Sequence, residues 1–240
     1  MSRIGEYRKP YRGTQPDYLH APYVSSTRRA PQQPLVAIPQ TLSEITGPMF
    51  GREDIAKGDC DLTFTLNGGE AQGQRIQVSG RVLDENGRPV PHTLVEVWQA
   101  NAAGRYLHRR DQHNAPIDPN FTGQGHTLTD EQGHYRFITI KPGAYPWKNH
   151  YNAWRPAHIH FSLFGPAVAT RLVTQMYFEG DPMLAYDPIF NCTTDEKARN
   201  RLISKLDWET TSPEESIGYH FDIVLRGRDA TPLDTGHVHP

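Results

Sequence analysis

From Arg75 onward the apolar residues of this chain recur at every second position, and turn signals interrupt them too often for long helices to form. Ile76, Val78 and Val82 alternate with Gln77, Ser79 and Arg81, as in a strand with one face in a core and the other towards polar surroundings. Asp84-Glu85-Asn86-Gly87 follows, and Asn-Gly is a strong hairpin signal, so residues 94–99 are expected to return as an antiparallel partner. Asp130-Glu131-Gln132-Gly133 is a second turn, feeding a strand over 135–140, and further strands are expected at 158–164, 171–178 and 219–225. Six short strands without regular helices between them predict an all-β fold, an antiparallel sandwich over residues 71–240. One helix is expected in the second half. Thr193 and Glu196 have capping-box spacing, Asp195 adds favourable charge to the first turn, and Leu202, Ile203 and Leu206 supply an apolar stripe.

Residues 1–70 read as an extended arm suited to subunit contacts. The first 40 or so are rich in proline and polar residues with little periodicity, and Thr41-Leu42-Ser43-Glu44 marks a short helix start. Four tryptophans and nine phenylalanines in a chain that is 36% hydrophobic suffice for a sizeable core. No apolar run approaches the roughly 20 residues of a membrane span, so no membrane role is expected. The opening residues lack the apolar core of a secretory signal, and two cysteines, Cys60 and Cys192, suit a reducing compartment; cytoplasm is the expectation. With Lys+Arg at 25 against Asp+Glu at 27 and no basic block, nothing suggests a nucleic-acid surface. Residues 101–125 are too long and irregular for a mere connector and are expected to form a functional loop. Twelve histidines are the compositional oddity, and of these His237 and His239, at the chain's end, are discounted as a site.

The chemistry concentrates in GAYPWKNHYNAWRPAHIHF, residues 143–161. On a strand His158 and His160 point to one face and Ile159 to the other, so two imidazoles can share a metal. Pro156 biases Arg155 to an extended conformation, and Pro142, Gly143 and Pro146 brace Tyr145. No thiolate lies nearby, which disfavours a cysteine-rich zinc site. Phe161-Ser162-Leu163-Phe164-Gly165 offers no carboxylate, which disfavours a two-histidine, one-carboxylate ferrous site. The region offers tyrosine instead, at Tyr145 and at Tyr106 in a Gly-Arg-Tyr context. A phenol with a pKa of about 10 binds metal at neutral pH only when a strong Lewis acid displaces its proton, a condition that ferric iron meets.

The runs VEVWQANAAGRYLH (95–108), DPNFTGQG (118–125), TIKPGAYPW (139–147), NAWRPAHIHF (152–161), TQMYFEGDP (174–182) and FDIVLRGR (221–228), with residues 37–44, resemble the intradiol ring-cleaving dioxygenases. The similarity is greatest to the β chains of the branch that acts on protocatechuate. It implies a prealbumin-like sandwich and a non-haem Fe(III) held by Tyr106, Tyr145, His158 and His160. It implies Arg155 as the catalytic arginine, Gln175 beside it, Tyr145 as an acceptor of a substrate proton, and Trp98 and Trp147 close to the metal. Tyr23 matches a substrate-contacting tyrosine of the arm. The implied reaction takes protocatechuate and O2 to 3-carboxy-cis,cis-muconate, in the β-ketoadipate route of aromatic-acid degradation. The implied partner is a homologous α subunit in a higher α/β oligomer. Ala144, where the family often has proline, and Leu107, where a basic residue is common, depart from the pattern without removing a ligand.

Two alternatives stand beside this one. A homodimeric catechol or hydroxyquinol dioxygenase would carry a helical N-terminal dimerisation domain, whereas residues 1–70 are arm-like. A prealbumin-like sandwich that binds without turnover would have no need of Tyr106, Tyr145, His158, His160 and Arg155 together.

Overall fold

The alternation over residues 75–83 produces β1 (Arg75–Leu83), with Ile76, Val78 and Val82 wholly inside. The computed structural model describes residues 11–34, 36, 55, 59–64, 68–148, 154–165 and 172–234; the capping pattern at 41–44 and the histidines at 237 and 239 lie outside these. The other strands are β2 (Leu94–Trp98), β3 (Gln124–Leu128), β4 (His134–Ile140), β5 (Tyr145–Pro146), β6 (Trp154–Arg155), β7 (His158–Phe164), β8 (Leu172–Phe178), β9 (Ile203–Ser212), β10 (Ser216–His220) and β11 (Ile223–Val224). Helix is confined among the described residues to α1 (Ser26–Arg29), α2 (Pro188–Asn191), α3 (Glu196–Asn200) and a 3-10 turn over Pro182–Tyr186. All strands but β5 and β6 share one large sheet in the order β11-β1-β10-β9-β8-β7-β2-β3, with β4 also paired to β1.

The sheet is mixed, where the sequence suggested antiparallel pairing throughout. β4 runs antiparallel to β1, β2 to β3 and β7, β7 to β8, and β9 to β10. However, β10 and β11 lie parallel to β1, and β9 lies parallel to β8. Those parallel pairs are joined by long or looped connections, so no hairpin sets their direction.

β2 likewise does not pair with β1. The Asn86-Gly87 turn forms, with Gly87 at φ +74 and the Asp84 N–H donating to the Arg88 carbonyl at 2.9 Å, and it closes a bridge between Leu83 and Pro89. Past Val90 the chain leaves, because β4 and β10 already pair with β1. One apolar cluster unites β1 and β4 with β2, β7 and β8 through Ile76, Val78, Val97, Phe137, Phe161 and Met176. Each such side chain contributes about 1.5–3 kcal/mol by leaving water.

The helix expected from Thr193 onward is corrected. Asp195, rather than Thr193, caps it by accepting the Ala198 N–H at 2.8 Å, and α3 ends at Asn200. Ile203 and Leu206 belong to β9, where Ile203 faces Tyr177 of β8 and Leu206 faces Tyr219 of β10. Pairing with β8 and β10 satisfies the backbone of this segment and sets its conformation. Leu202 is buried against Tyr177 and Phe190, while Leu206 is exposed.

The described part of the arm lies on its own chain. Asp195 N–H donates to Gly13 O at 3.0 Å, Asp17 N–H to Cys192 O at 3.3 Å, and Leu233 N–H to the Gln15 side chain at 2.7 Å. Ser26 both donates to and accepts from the His20 backbone, closing a compact turn that places Tyr23 inside. Residues 59–64 also join the body: Leu62 is in the core, and its N–H donates to Ile138 O at 2.9 Å.

Candidate active site

β7 divides its side chains as the alternation requires. Ile159, Phe161 and Leu163 enter the core, and His158 and His160 occupy the opposite face, 2% and 0% exposed. His160 is paired across the sheet with Trp98 on one side and Gln175 on the other, and His158 with Tyr177. Trp98 stacks on His160 with ring centroids 4.8 Å apart and planes within 3°. The small β5–β6 ladder sets Tyr145 opposite Arg155 and so brings both over this face.

Tyr106 arrives from the loop after β2, and Asn101 shapes that loop. The Asn101 side-chain oxygen accepts from the Ala103 and Arg105 N–H groups, its amide donates to Pro116 O, and its carbonyl accepts from Gly143 N–H at 2.9 Å. The Tyr106 N–H is held by Asp111 at 2.8 Å. Gly104 lies at φ +77 where the two tyrosine-bearing loops press together, and a β-carbon there would overlap the Ala144 carbonyl. Gly104→Ala is therefore expected to cost more than the ~1–2 kcal/mol of left-handed strain alone. Gly87, at φ +74 with open space around it, is the control. Thermal melts in which both alanine variants lose the same stability would contradict the close approach.

The donor atoms converge in pairs. Tyr145 Oη lies 3.2 Å from His158 Nε2, and Tyr106 Oη lies 3.2 Å from His160 Nε2. The phenol rings meet edge to face at 5.4 Å and the imidazoles at 4.8 Å. His158 Nδ1 sits 2.7 Å from the Pro156 carbonyl, which can only accept, so Nδ1 carries the proton and Nε2 the lone pair in the neutral ring. Burial raises the pKa of Tyr106, reinforced by Tyr145 beside it. Burial also raises that of Tyr145, against the opposing pull of Arg155.

Arg155 is 1% exposed and its guanidinium is fully engaged. Nη2 donates to Asp187 Oδ2 at 2.8 Å, Gln175 Oε1 at 2.7 Å and the Tyr177 hydroxyl at 2.9 Å, and Nε donates to Asp187 Oδ1 at 3.3 Å. Nη1 points to the donor cluster, 3.0 Å from His158 Nε2 and 3.5 Å from Tyr145 Oη. Burial alone would lower the guanidinium pKa, but Asp187, Tyr177 and Tyr145 together outweigh it, so the pKa lies well above its ordinary value and the group stays charged.

The structure thus gathers Tyr106, Tyr145, His158, His160, Arg155, Gln175 and Trp98. Trp147 lies against the Arg155 guanidinium at 5.5 Å, and Tyr23, 1% exposed, meets Trp147 edge-on at 5.3 Å. Burial pushes the Tyr23 phenol up to about 12. Sequence reasoning missed Tyr177, Asp187 and Asp234, the last of which accepts from Gln175 Nε2 at 2.6 Å. Strand alternation from Gln175 could have found Tyr177, and Asp187 before Pro188 is a readable helix cap. Nothing local marks Asp234.

A model described as "Dioxygenase" matches residues 45–227, and one described as "Protocatechuate 3,4-dioxygenase beta subunit N terminal" matches residues 7–41. A protocatechuate 3,4-dioxygenase beta chain from Burkholderia cepacia is 60% identical over 91% of this chain and 93% of its own length. The chain belongs to the intradiol dioxygenases. An alpha chain of protocatechuate 3,4-dioxygenase from Pseudomonas putida is 30% identical over 82% of this chain and 97% of its own. Among intradiol dioxygenase structures, hydroxyquinol 1,2-dioxygenase from Pseudomonas putida DLL-E4 shares the fold, with TM-score 0.55 and 24% identity over 84% of this chain and 69% of that one.

Intradiol dioxygenases use non-haem iron, and the residues present fit such an ion. Among the described residues no three His, Cys, Asp or Glu side chains gather as a metal site, so the two phenols are needed to complete the imidazole pair. Two neutral nitrogens and two phenols held protonated by burial form a set that a hard trivalent cation matches, because such a cation reverses the preference for the neutral phenol.

Proposed function

We propose that this chain is the iron-bearing β chain of an α/β enzyme that cleaves protocatechuate with O2 between its hydroxylated carbons, giving 3-carboxy-cis,cis-muconate. The observation that carries the proposal is the meeting of Tyr106, Tyr145, His158 and His160 at 3.2 Å separations beside Nη1 of Arg155. Tyr106, Tyr145, His158 and His160 would hold Fe(III). When bound, ferric iron supplies the Lewis acidity that favours a chelated catecholate and makes its electron-rich ring reactive towards dioxygen.

The chain's own groups do the rest. Tyr145 Oη, at the Arg155 edge of the cluster, would take up a proton from an incoming catechol hydroxyl once its own phenol proton has passed to solvent, the state in which it would hold the ion. Nη1 of Arg155 stabilises negative charge on the substrate as it develops, and cannot act as a base because it does not deprotonate. Gln175 steadies Arg155, Trp98 braces His160, and Trp147 with Tyr23 walls the site.

The finer architecture belongs to the same reading: a prealbumin-like sandwich over 71–240, an arm over 1–70 that contacts a homologous α subunit, and a higher α/β oligomer in the cytoplasm. Oxygen uptake by the full chain co-expressed with an α chain tests the reading. Protocatechuate is expected to be consumed one-for-one with O2 and faster than catechol or hydroxyquinol. Preference for catechol or hydroxyquinol would favour the homodimeric enzymes, and no uptake with any of the three would favour a binding sandwich.

A further inference from the structure

We propose that Asp187 is a positioning residue that, with Tyr177, locks the Arg155 guanidinium so that Nη1 alone is presented to the reacting edge. The inference rests on the function proposed above. A guanidinium offers five N–H donors in one rigid plane, and the carboxylate of Asp187 engages the Nε and Nη2 edge of that plane through both of its oxygens, at 3.3 and 2.8 Å. The one remaining N–H of Nη2 is shared between Gln175 Oε1 and the Tyr177 hydroxyl. Only Nη1 is left to face Tyr145 and His158.

Asp187 is itself fixed. It caps α2, accepting the Ile189 N–H at 3.4 Å, and the Tyr177 hydroxyl lies 3.1 Å from its Oδ2. Both side chains of the ion pair are buried, at 1% and 0% exposed, so any other Arg155 rotamer would strand a carboxylate away from water. Among the described residues, none of the Asp187 side-chain hydrogen bonds goes to Tyr106, Tyr145, His158 or His160, so its hydrogen-bonded link to them runs through Arg155.

The test uses the full chain co-expressed with its α chain. Asp187→Glu keeps the charge but moves the fork, and is expected to lower kcat for protocatechuate about 10–100-fold with KM within about threefold, the size of effect that a misplacement near 1 Å produces. Iron content and the resting visible spectrum are expected to be those of the wild type, which separates misplacement from loss of metal. Tyr177→Phe, which removes one hydroxyl and no charge, is expected to lower kcat by a smaller factor with the same signature, and covers the case in which Asp187→Glu does not fold. In an Arg155→Lys background Asp187→Glu is expected to cause no further loss, because the fork that it positions is gone. A kcat within twofold of wild type in both single variants, or an equal loss in the Arg155→Lys background, would overturn the inference. Inactivity of the wild-type complex towards protocatechuate would instead remove the function on which it rests.

Discussion

Alanine at His160 is expected to leave the protein without iron and without measurable turnover. His160 is 0% exposed, presents Nε2 to Tyr106, and is fixed by Trp98 stacked on its ring. Truncation removes a proposed ligand and the imidazole on which Trp98 stacks. Tyr145→Phe is the informative companion: three donors remain, so iron is expected to stay near one per chain while substrate binding and turnover slow. Metal analysis and single-turnover kinetics read the two effects separately. Equal iron content and equal turnover in both variants would sink the ligand assignment.

The second large effect concerns Arg155, where function and stability are joined. Arg155→Met removes the donor at the reacting edge and is expected to lower kcat by about 10²–10³-fold, as losing one preorganised donor to developing negative charge does. It also strands Asp187, and breaking a buried pair from one side costs about 3–5 kcal/mol. Adding Asp187→Leu to Arg155→Met should recover much of that stability while recovering none of the activity, since the uncompensated charge is gone but the donor is not restored. Thermal melts beside kcat values check this; a double variant no more stable than Arg155→Met would contradict the view of Asp187 as a stranded buried carboxylate.

How much of this was legible depended on whether a residue's partner was local. The turn at Asn86-Gly87, the strand at Arg75–Leu83 and the shared face of His158 and His160 follow from neighbours within a few positions, and the structure contains all three. The pairing of β1 with β10 joins residues about 140 positions apart, and no pattern in either strand announces the other. Ile203 and Leu206 fit a helical face as well as a strand, and only β8 and β10 decide between them. The same holds at the site. Tyr106 and Tyr145 are visible as residue types, but the contact of their loops depends on Gly104 against Ala144. The carboxylate that pairs with Arg155 could not be named from the sequence, because Asp187 stands 32 positions away and carries no mark of its destination.

Tyr106, Tyr145, His158 and His160 are proposed to form a ferric site of two phenolates and two imidazoles. The most direct test is the visible absorption spectrum of the full chain purified with an α chain, recorded before and after protocatechuate is added without oxygen. A broad tyrosinate-to-iron charge-transfer band that shifts when the substrate binds is expected. A colourless protein with stoichiometric metal would contradict tyrosinate ligation and return His158 and His160 to a zinc or ferrous reading.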